Sequence, residues 1–248
     1  MVQWKVRFQS NNADPTYYWG SLMHGALMER VAAETADRMH KGEMRLFNQW
    51  VEPAKDGTFT WHLNVLDDGL ADEMPTYSEG DEWMLTHVST ALTVLSAERV
   101  DTSIRDYMKP FYMSEKPADR IRMTFITTTT HKSQGAYAVF PSVELIAGNL
   151  RKRIVTMDPE SVLGDDEVIR QITDRTIIGR YKLQSSAFAL EGRWIHGYNG
   201  VVELVVRGPE ALLRLANALY AFAPYCGVGI KTALGMGGCS VELIQRSE

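Results

Sequence analysis

Apolar and polar residues alternate at the start of the chain. Residues 2–9 place Val2, Trp4, Val6 and Phe8 between polar side chains, and this period of two predicts a half-buried strand. The pair Asp14-Pro15 predicts a helix start, since Asp is a favoured N-cap and Pro a favoured first helical residue. Apolar residues continue at helical spacing after it, so we expect one long helix ending near His40-Lys41.

The same patterns predict the order of the remaining elements. In the first half we expect strands at residues 59–66 and 83–90, a helix at 91–99 and a strand at 120–130. In the second half we expect a short strand at 137–140, helices at 142–156 and 162–173, strands at 176–190 and 194–207 joined by a turn at Glu191-Gly192, a helix opened by Pro209, and a strand at 239–245.

Each half approximates the order β-α-β-β-α-β, which is the ferredoxin-like order. The patterns therefore predict an α+β fold of two tandem ferredoxin-like (RRM-like) domains with antiparallel sheets. We place the first domain at residues 1–130 and the second at residues 131–248.

Composition narrows the class of protein. The 248 residues are 45% hydrophobic and 23% charged, as in a globular protein with a buried core. The two cysteines, Cys226 and Cys239, form no disulfide framework and no CxxC site, which is typical of a reducing compartment. Neither a signal peptide nor a membrane-spanning stretch is evident, so we expect a cytoplasmic protein without a membrane partner.

The net charge of −5 argues at first against a nucleic-acid partner. Much of the acidity is local, because residues 67–82 contain seven acidic residues and no basic one. The rest of the chain carries a net charge of +2, which permits a basic surface on one side. We expect the acidic segment to be a solvated loop that points away from any RNA.

A glycine-rich segment follows the last predicted helix. Residues 227–238 contain five glycines, with Lys231 and Thr232 among them. Glycine lets backbone N–H groups approach an anion, so one interpretation is a phosphate cradle. The order helix, loop, strand excludes a Walker A P-loop and a dinucleotide fingerprint. The other interpretation is a glycine-lined packing contact.

This segment, YCGVGIKTALGMGG, resembles the C-terminal glycine-rich motif of the repeat-processing endoribonucleases of CRISPR systems, in the RAMP superfamily. The motif runs roughly G-x-G-x-K-[ST]-x-[LF]-G-[FM]-G, and Ile230 departs from it by being apolar. The positions that match it are Gly227, Gly229, Lys231, Thr232, Leu234, Gly235, Met236 and Gly237. Three further blocks, near residues 22–47, 125–150 and 196–222, are similar to the same family, whose fold is also a ferredoxin-like tandem.

The resemblance implies metal-independent and cofactor-independent cleavage of precursor CRISPR RNA within its repeats, yielding mature crRNA. In this chemistry the ribose 2′-OH attacks the adjacent phosphate and leaves a 2′,3′-cyclic phosphate and a 5′-OH. The implied partners are repeat RNA and other subunits of an effector complex. Of the matching motif residues, the implied RNA-binding ones are Gly227, Gly229, Lys231, Thr232, Gly235 and Gly237.

Two histidines compete for the acid–base role. His40 matches the family's catalytic position at the end of the first helix, and its other interpretation is a surface residue near a helix end. His24 resembles a second frequent family histidine, and its other interpretation is packing. A straight helix would separate them by about 24 Å at 1.5 Å per residue, so they are alternatives. Lys41 and Arg45 are candidates to neutralise the scissile phosphate, unless they are ordinary solvated charges.

Five more residues are candidates for RNA phosphate contacts. His131 and Lys132 follow the threonine run, and Arg151, Lys152 and Arg153 form a basic run in a predicted helix. No spacing of His, Cys, Asp and Glu indicates a metal site.

Two other functions are compatible with the same residues. One is a RAMP-type subunit that holds crRNA without cutting it. The other is an unrelated ferredoxin-like enzyme that binds a nucleotide at the glycine-rich loop.

Overall fold

The computed structural model describes residues 1–40, 46–190 and 192–245, and it divides the chain into two compact units. The first unit comprises Met1–Asp101, Ala189–Arg193 and Lys231–Met236. The second comprises Thr102–Phe188, Trp194–Ile230 and Gly237–Glu248. No helix among the described residues is long and apolar enough to cross a membrane.

The first unit is a five-stranded antiparallel sheet in the order β2-β3-β1-β5-β4. Without β4, this is the ferredoxin-like strand order, and β4 extends it by pairing with β5. The elements of this unit are β1 (Val2–Ser10), α1 (Gly20–Met28), α2 (Ala33–His40), β2 (Phe47–Pro53), β3 (Thr58–Val65), α3 (Asp68–Ala71), β4 (Glu82–Leu85) and β5 (Thr90–Asp101).

The alternation predicted for β1 is confirmed, and its apolar side faces the core of the first unit. Phe8 stacks on Phe59, with ring centroids 5.3 Å apart, and lies 5.7 Å from Trp83 in an edge-to-face contact. Trp61 joins the same aromatic cluster. Large aromatic side chains bury much apolar area each, so this cluster anchors the sheet.

The second unit contains a four-stranded sheet in the order β11-β6-β10-β9, again the ferredoxin-like order. A separate two-stranded sheet pairs β7 with β8. The elements are α4 (Ile104–Tyr112), β6 (Arg120–Thr129), β7 (His131–Ser133), β8 (Ala136–Ala138), α5 (Val143–Met157), α6 (Asp166–Asp174), β9 (Thr176–Leu190), β10 (Arg193–Val206), α7 (Glu210–Ala221), α8 (Ala223–Cys226) and β11 (Cys239–Ile244).

Several predictions for the first half are wrong. Residues 91–99 are not a helix but part of β5, which pairs with β1 over most of its length. Pairing with a neighbouring strand overrides the helix propensity of this Ala- and Leu-rich stretch. The first helix is preceded by Thr16 and a single 3₁₀ turn, not by Asp14-Pro15. The predicted strand at residues 83–90 is limited to β4, and β2 was not predicted.

The domain boundary also differs from the one predicted at residue 130. Strand β6, expected to close the first domain, lies between β11 and β10 in the second sheet. The second unit accordingly begins at Thr102. The predicted helices and strands of the second half are confirmed with small shifts of their ends, including α5 with Ser142 as its N-cap and the long strands β9 and β10. Glu191 of the predicted turn lies outside the described residues.

The glycine-rich segment is packed closely against backbone. Gly229 donates its N–H to Asn149, and the Asn149 amide donates to the Gly229 carbonyl. A Cβ on Gly229 would lie 2.1 Å from the carbonyl oxygen of Thr130, and one on Gly237 would lie 2.1 Å from that of Val228. These glycines are needed because the backbone approaches closely.

The backbone N–H groups of this segment are largely used inside the protein. Donors to backbone or side-chain oxygens include those of Gly227, Val228, Gly229, Ile230, Leu234, Met236, Gly237 and Gly238. The N–H groups of Gly227, Gly229 and Gly237 are therefore occupied within the protein, which favours the packing interpretation over a phosphate cradle at these three positions.

We predict that Gly237→Ala lowers the free energy of unfolding by at least about 2 kcal/mol. Its φ of 70° disfavours a side chain, and the new Cβ meets the Val228 carbonyl. The matched control is Gly148→Ala in α5, where a Cβ meets nothing within 4 Å. That change should stabilise the protein by about 0.5–1 kcal/mol.

Urea unfolding followed by circular dichroism measures both changes. Equal midpoints for the two variants would contradict the close-packing role of Gly237.

Candidate active site

His24 and His40 face each other in the first unit. Their ring centroids lie 5.5 Å apart and their planes make an angle of 79°. The predicted single helix is in fact two, α1 ending at Met28 and α2 beginning at Ala33. The chain reverses between them, so the expected separation of about 24 Å is wrong. The two rings are neighbours, so distance no longer makes them alternatives.

Tertiary contacts hold the reversal between α1 and α2. Residues 29–32 contain neither Gly nor Pro, so local propensity gives no reason for a break. The Arg30 guanidinium lies 4.3 Å from the centre of the Trp83 ring and donates to the carbonyl of Glu82. The neighbouring Val31 is buried in the core of the unit. These tertiary contacts fix the turn between α1 and α2.

The two histidines differ in exposure. His24 is 8% exposed and stacks on Phe47, with centroids 5.9 Å apart and planes 4° apart. His40 is exposed at the end of α2, next to the buried Met39. One imidazole is thus held in the protein while the other is presented to solvent.

Helix α2 is tied to the acidic segment at residues 67–82. The Thr35 hydroxyl donates to a Glu73 carboxylate oxygen over 2.5 Å, and Arg38 pairs with Glu73 and with Asp67. The Thr35 hydrogen bond, followed by the Arg38 charge, lowers the pKa of Glu73. The segment contains α3 and supports the helix that bears His40, so it is more than a solvated loop.

A buried glutamine connects α1 with the glycine-rich segment. Gln49 Nε2 donates to the carbonyl of Gly20 over 2.6 Å and to that of Ala233 over 3.0 Å. Its Oε1 accepts from the Trp61 indole over 2.8 Å. Every polar atom of this side chain is therefore used, and its orientation is fixed.

Gly20 and Gly235 make the same connection through backbone. A Cβ on Gly20 would lie 2.6 Å from the Cα of Gly235. His24 lies one helical turn beyond Gly20 on α1. The segment Lys231–Met236 is thereby packed on the first turn of the helix that carries His24.

The predicted RNA contacts are only partly exposed. Lys231 is exposed, with a left-handed φ of 57°, whereas Thr232 and Gly235 are buried. His131 is 5% exposed, and burial lowers its pKa to about 4, so it does not offer a cation to phosphate. Lys132 is exposed.

The basic run in α5 is mostly engaged within the protein. Arg151 donates to the carbonyl of Gly164 and pairs with Asp166 over 2.6 Å. Arg153 is buried, and this burial lowers its pKa. The prediction of a phosphate-binding run is therefore wrong for these two arginines, and Lys152 alone of the three is exposed. Lys41 and Arg45 lie outside the described residues.

Sequence reasoning missed Gln49 and Phe47, which hold the site together. Both lie in β2, which was not predicted. The one signal available in the sequence was the Gln49 amide within this segment. A buried amide needs hydrogen-bond partners from elsewhere in the fold.

Comparison with known proteins finds relatives of similar sequence. A family model described as CRISPR-associated endoribonuclease Cas6 matches residues 123–239. A Cas6 endoribonuclease of Streptococcus thermophilus is 29% identical over 225 residues, covering 88% of this chain and 89% of that protein. One of Mycobacterium tuberculosis is 22% identical over 229 residues, covering 90% and 71%.

Solved structures show the same fold. Thermus thermophilus Cas6 superimposes with a TM-score of 0.70 at 20% identity, covering 97% of this chain and 98% of that one. A Cas6 product complex superimposes with a TM-score of 0.78 at 20% identity, covering 98% and 100%. The chain is similar in sequence and in fold to the Cas6 CRISPR-associated endoribonucleases. The expected tandem ferredoxin-like fold is confirmed.

The glycine-rich segment of this chain is a packing element, with Lys231 as its exposed charged residue.

We predict that Gln49→Leu lowers the free energy of unfolding by at least about 2 kcal/mol. The change leaves the Gly20 and Ala233 carbonyls and the Trp61 indole N–H buried without their partner. Gln171→Leu, at an exposed glutamine of α6, is the control and should change stability by less than about 0.5 kcal/mol. Urea unfolding compares the two, and an effect of the same size in both would argue against a special role for Gln49.

Proposed function

We propose that this chain cuts precursor CRISPR RNA within its repeats by attack of the ribose 2′-OH on the adjacent phosphate, without a metal ion. The 5.5 Å approach of His24 and His40 carries the proposal. His40 is the catalytic residue and His24 the residue that positions it. We further propose that repeat RNA is the partner, and that the protein stays on the processed repeat as a subunit of an effector complex.

The exposure of the two rings supports this division of roles. His40 is open to a bound phosphodiester, whereas His24 lies behind it against Phe47. An imidazole is suited to proton transfer near neutral pH. A ring held at 79° to a fixed neighbour has less freedom to turn away, which favours a productive geometry.

The reaction balances without water or cofactor. The 2′-oxygen loses its proton and bonds to phosphorus, the bond from phosphorus to the 5′-oxygen breaks, and that oxygen takes up a proton. The products are a 2′,3′-cyclic phosphate and a 5′-OH. His40 is placed to serve one of these proton transfers as general acid or base.

We expect His40→Ala to slow cleavage of a repeat RNA in EDTA by about 10²- to 10⁴-fold, the usual contribution of a general acid or base. His24→Ala should slow it by about tenfold or more, because His40 loses the ring that orients it. His24→Phe should restore most of that loss, since it keeps an aromatic ring between Phe47 and His40. Single-turnover rates on gels give all three values.

His87→Ala is the matched control, since His87 is an exposed histidine of the same unit and should leave the rate unchanged. A loss of rate in His24→Ala alone would overturn the assignment of His40. Tight binding of intact RNA by the wild-type protein would overturn the proposed cleavage chemistry.

Lys231 is the exposed cation of the glycine-rich segment, and we propose that it contacts an RNA phosphate. Lys231→Gln should weaken binding of the repeat RNA and reduce the slope of log K against log salt by about 0.7–0.9. The control is Lys55→Gln, at an exposed lysine of the hairpin between β2 and β3. Fluorescence anisotropy at several salt concentrations measures both slopes, and an unchanged slope in Lys231→Gln would contradict the contact.

A further inference from the structure

The second unit exposes a group of aromatic side chains outside its core. Tyr181 in β9 is 63% exposed, Phe140 is 50% exposed, and Tyr137 in β8 is 48% exposed. Tyr181 and Phe140 touch edge to face, with ring centroids 5.5 Å apart. Exposed aromatic rings that touch one another form a contiguous apolar patch, and such patches mark binding surfaces.

Basic side chains accompany these rings. Lys132 is the direct cross-strand neighbour of Tyr137 in the β7–β8 pair. Arg180 and Lys182 precede and follow Tyr181 in β9, the edge strand of its sheet, and the period of two directs their side chains to the other face of that edge strand. All three cations are exposed, and no ion pair among the described residues includes them. Their charge is thus available to a ligand.

Acidic side chains are missing from the segments that build this surface. Residues 131–140 and 176–190 contain three basic residues and no Asp or Glu, in a chain with a net charge of −5. A surface that is locally cationic in an acidic protein is complementary to a polyanion. An apolar docking site for a protein partner would not require basic residues without acidic ones.

We propose that Tyr181, Phe140 and Tyr137, with Lys132, Arg180 and Lys182, form a stacking surface for unpaired nucleotides of the RNA. Exposed ring faces bind bases by stacking, and neighbouring cations follow the phosphates. Paired bases are already stacked inside a duplex and cannot reach these rings. The occupant is therefore a single-stranded stretch. This inference rests on the proposed function, since it assigns a second contact to the same RNA.

The test separates the contribution of base stacking to RNA affinity from the contribution of the basic side chains. A labelled 12-nucleotide unstructured RNA is titrated into wild type, Tyr181→Ala, Phe140→Ala, Tyr181→Phe and Lys182→Gln, with anisotropy as the readout. Tyr181→Ala should weaken binding at least about fivefold, as the loss of one stacked base does, without changing the salt slope. Tyr181→Phe keeps the ring and should bind like wild type. Lys182→Gln should reduce the salt slope by about 0.7.

Met113→Ala is the control, because Met113 is an exposed apolar residue of the same unit that lies just beyond α4. It should bind the RNA like wild type. Circular dichroism melts establish that the variants are folded.

Equal RNA affinity in wild type, Tyr181→Ala and Phe140→Ala would overturn the proposal. Loss of binding to a protein partner in these variants, with RNA affinity unchanged, would also overturn it. The cleavage rate of wild type on repeat RNA is measured in parallel. Cleavage with no effect of the ring variants refutes the stacking surface alone, whereas absence of cleavage refutes the proposed function.

Discussion

The side chain of Gln49 joins the two parts of the first unit on which the candidate site is built. Its amide donates to the Gly20 carbonyl at the start of α1 and to the Ala233 carbonyl in the glycine-rich segment, while Trp61 fixes its orientation. A fully buried amide is costly unless each polar atom is paired, so it tolerates one arrangement of its partners. The position of His24 on α1 and that of Lys231, two residues before Ala233, both follow from this arrangement.

The glycine-rich motif shows how composition and structure can suggest different roles. Glycines beside a lysine suggest an anion cradle, and the same residues equally suit a place where backbone meets backbone. The distances decide for packing, because a Cβ at Gly229 or Gly237 would lie 2.1 Å from a carbonyl oxygen. The N–H groups of Gly237, Ile230 and Gly229 are donated to Thr128, Thr130 and Asn149, so these three are occupied within the protein.

The sequence predicted the second unit far better than the first. Strands β9 and β10 and helices α5 and α7 follow clear periodicities, with helix starts at Ser142 and Pro209. The first unit depends on tertiary contacts that local sequence patterns do not predict. Strand β5 contains good helix formers and becomes a strand because β1 pairs with it. The break after Met28 has no Gly or Pro and depends on Arg30 against Trp83.

The candidate site was predicted as a set of residues and not as an arrangement. Both histidines were identified, but a straight helix kept them apart, and the same missed break concealed their contact. The acidic segment was likewise predicted from charge alone. In the structure its Glu73 holds Thr35 and Arg38 of α2, so negative charge that argued against an RNA partner in fact supports the helix that presents His40. Net charge is therefore a poor guide to the partner here, because acidic residues engaged in ion pairs within the protein add little to the field that a ligand meets.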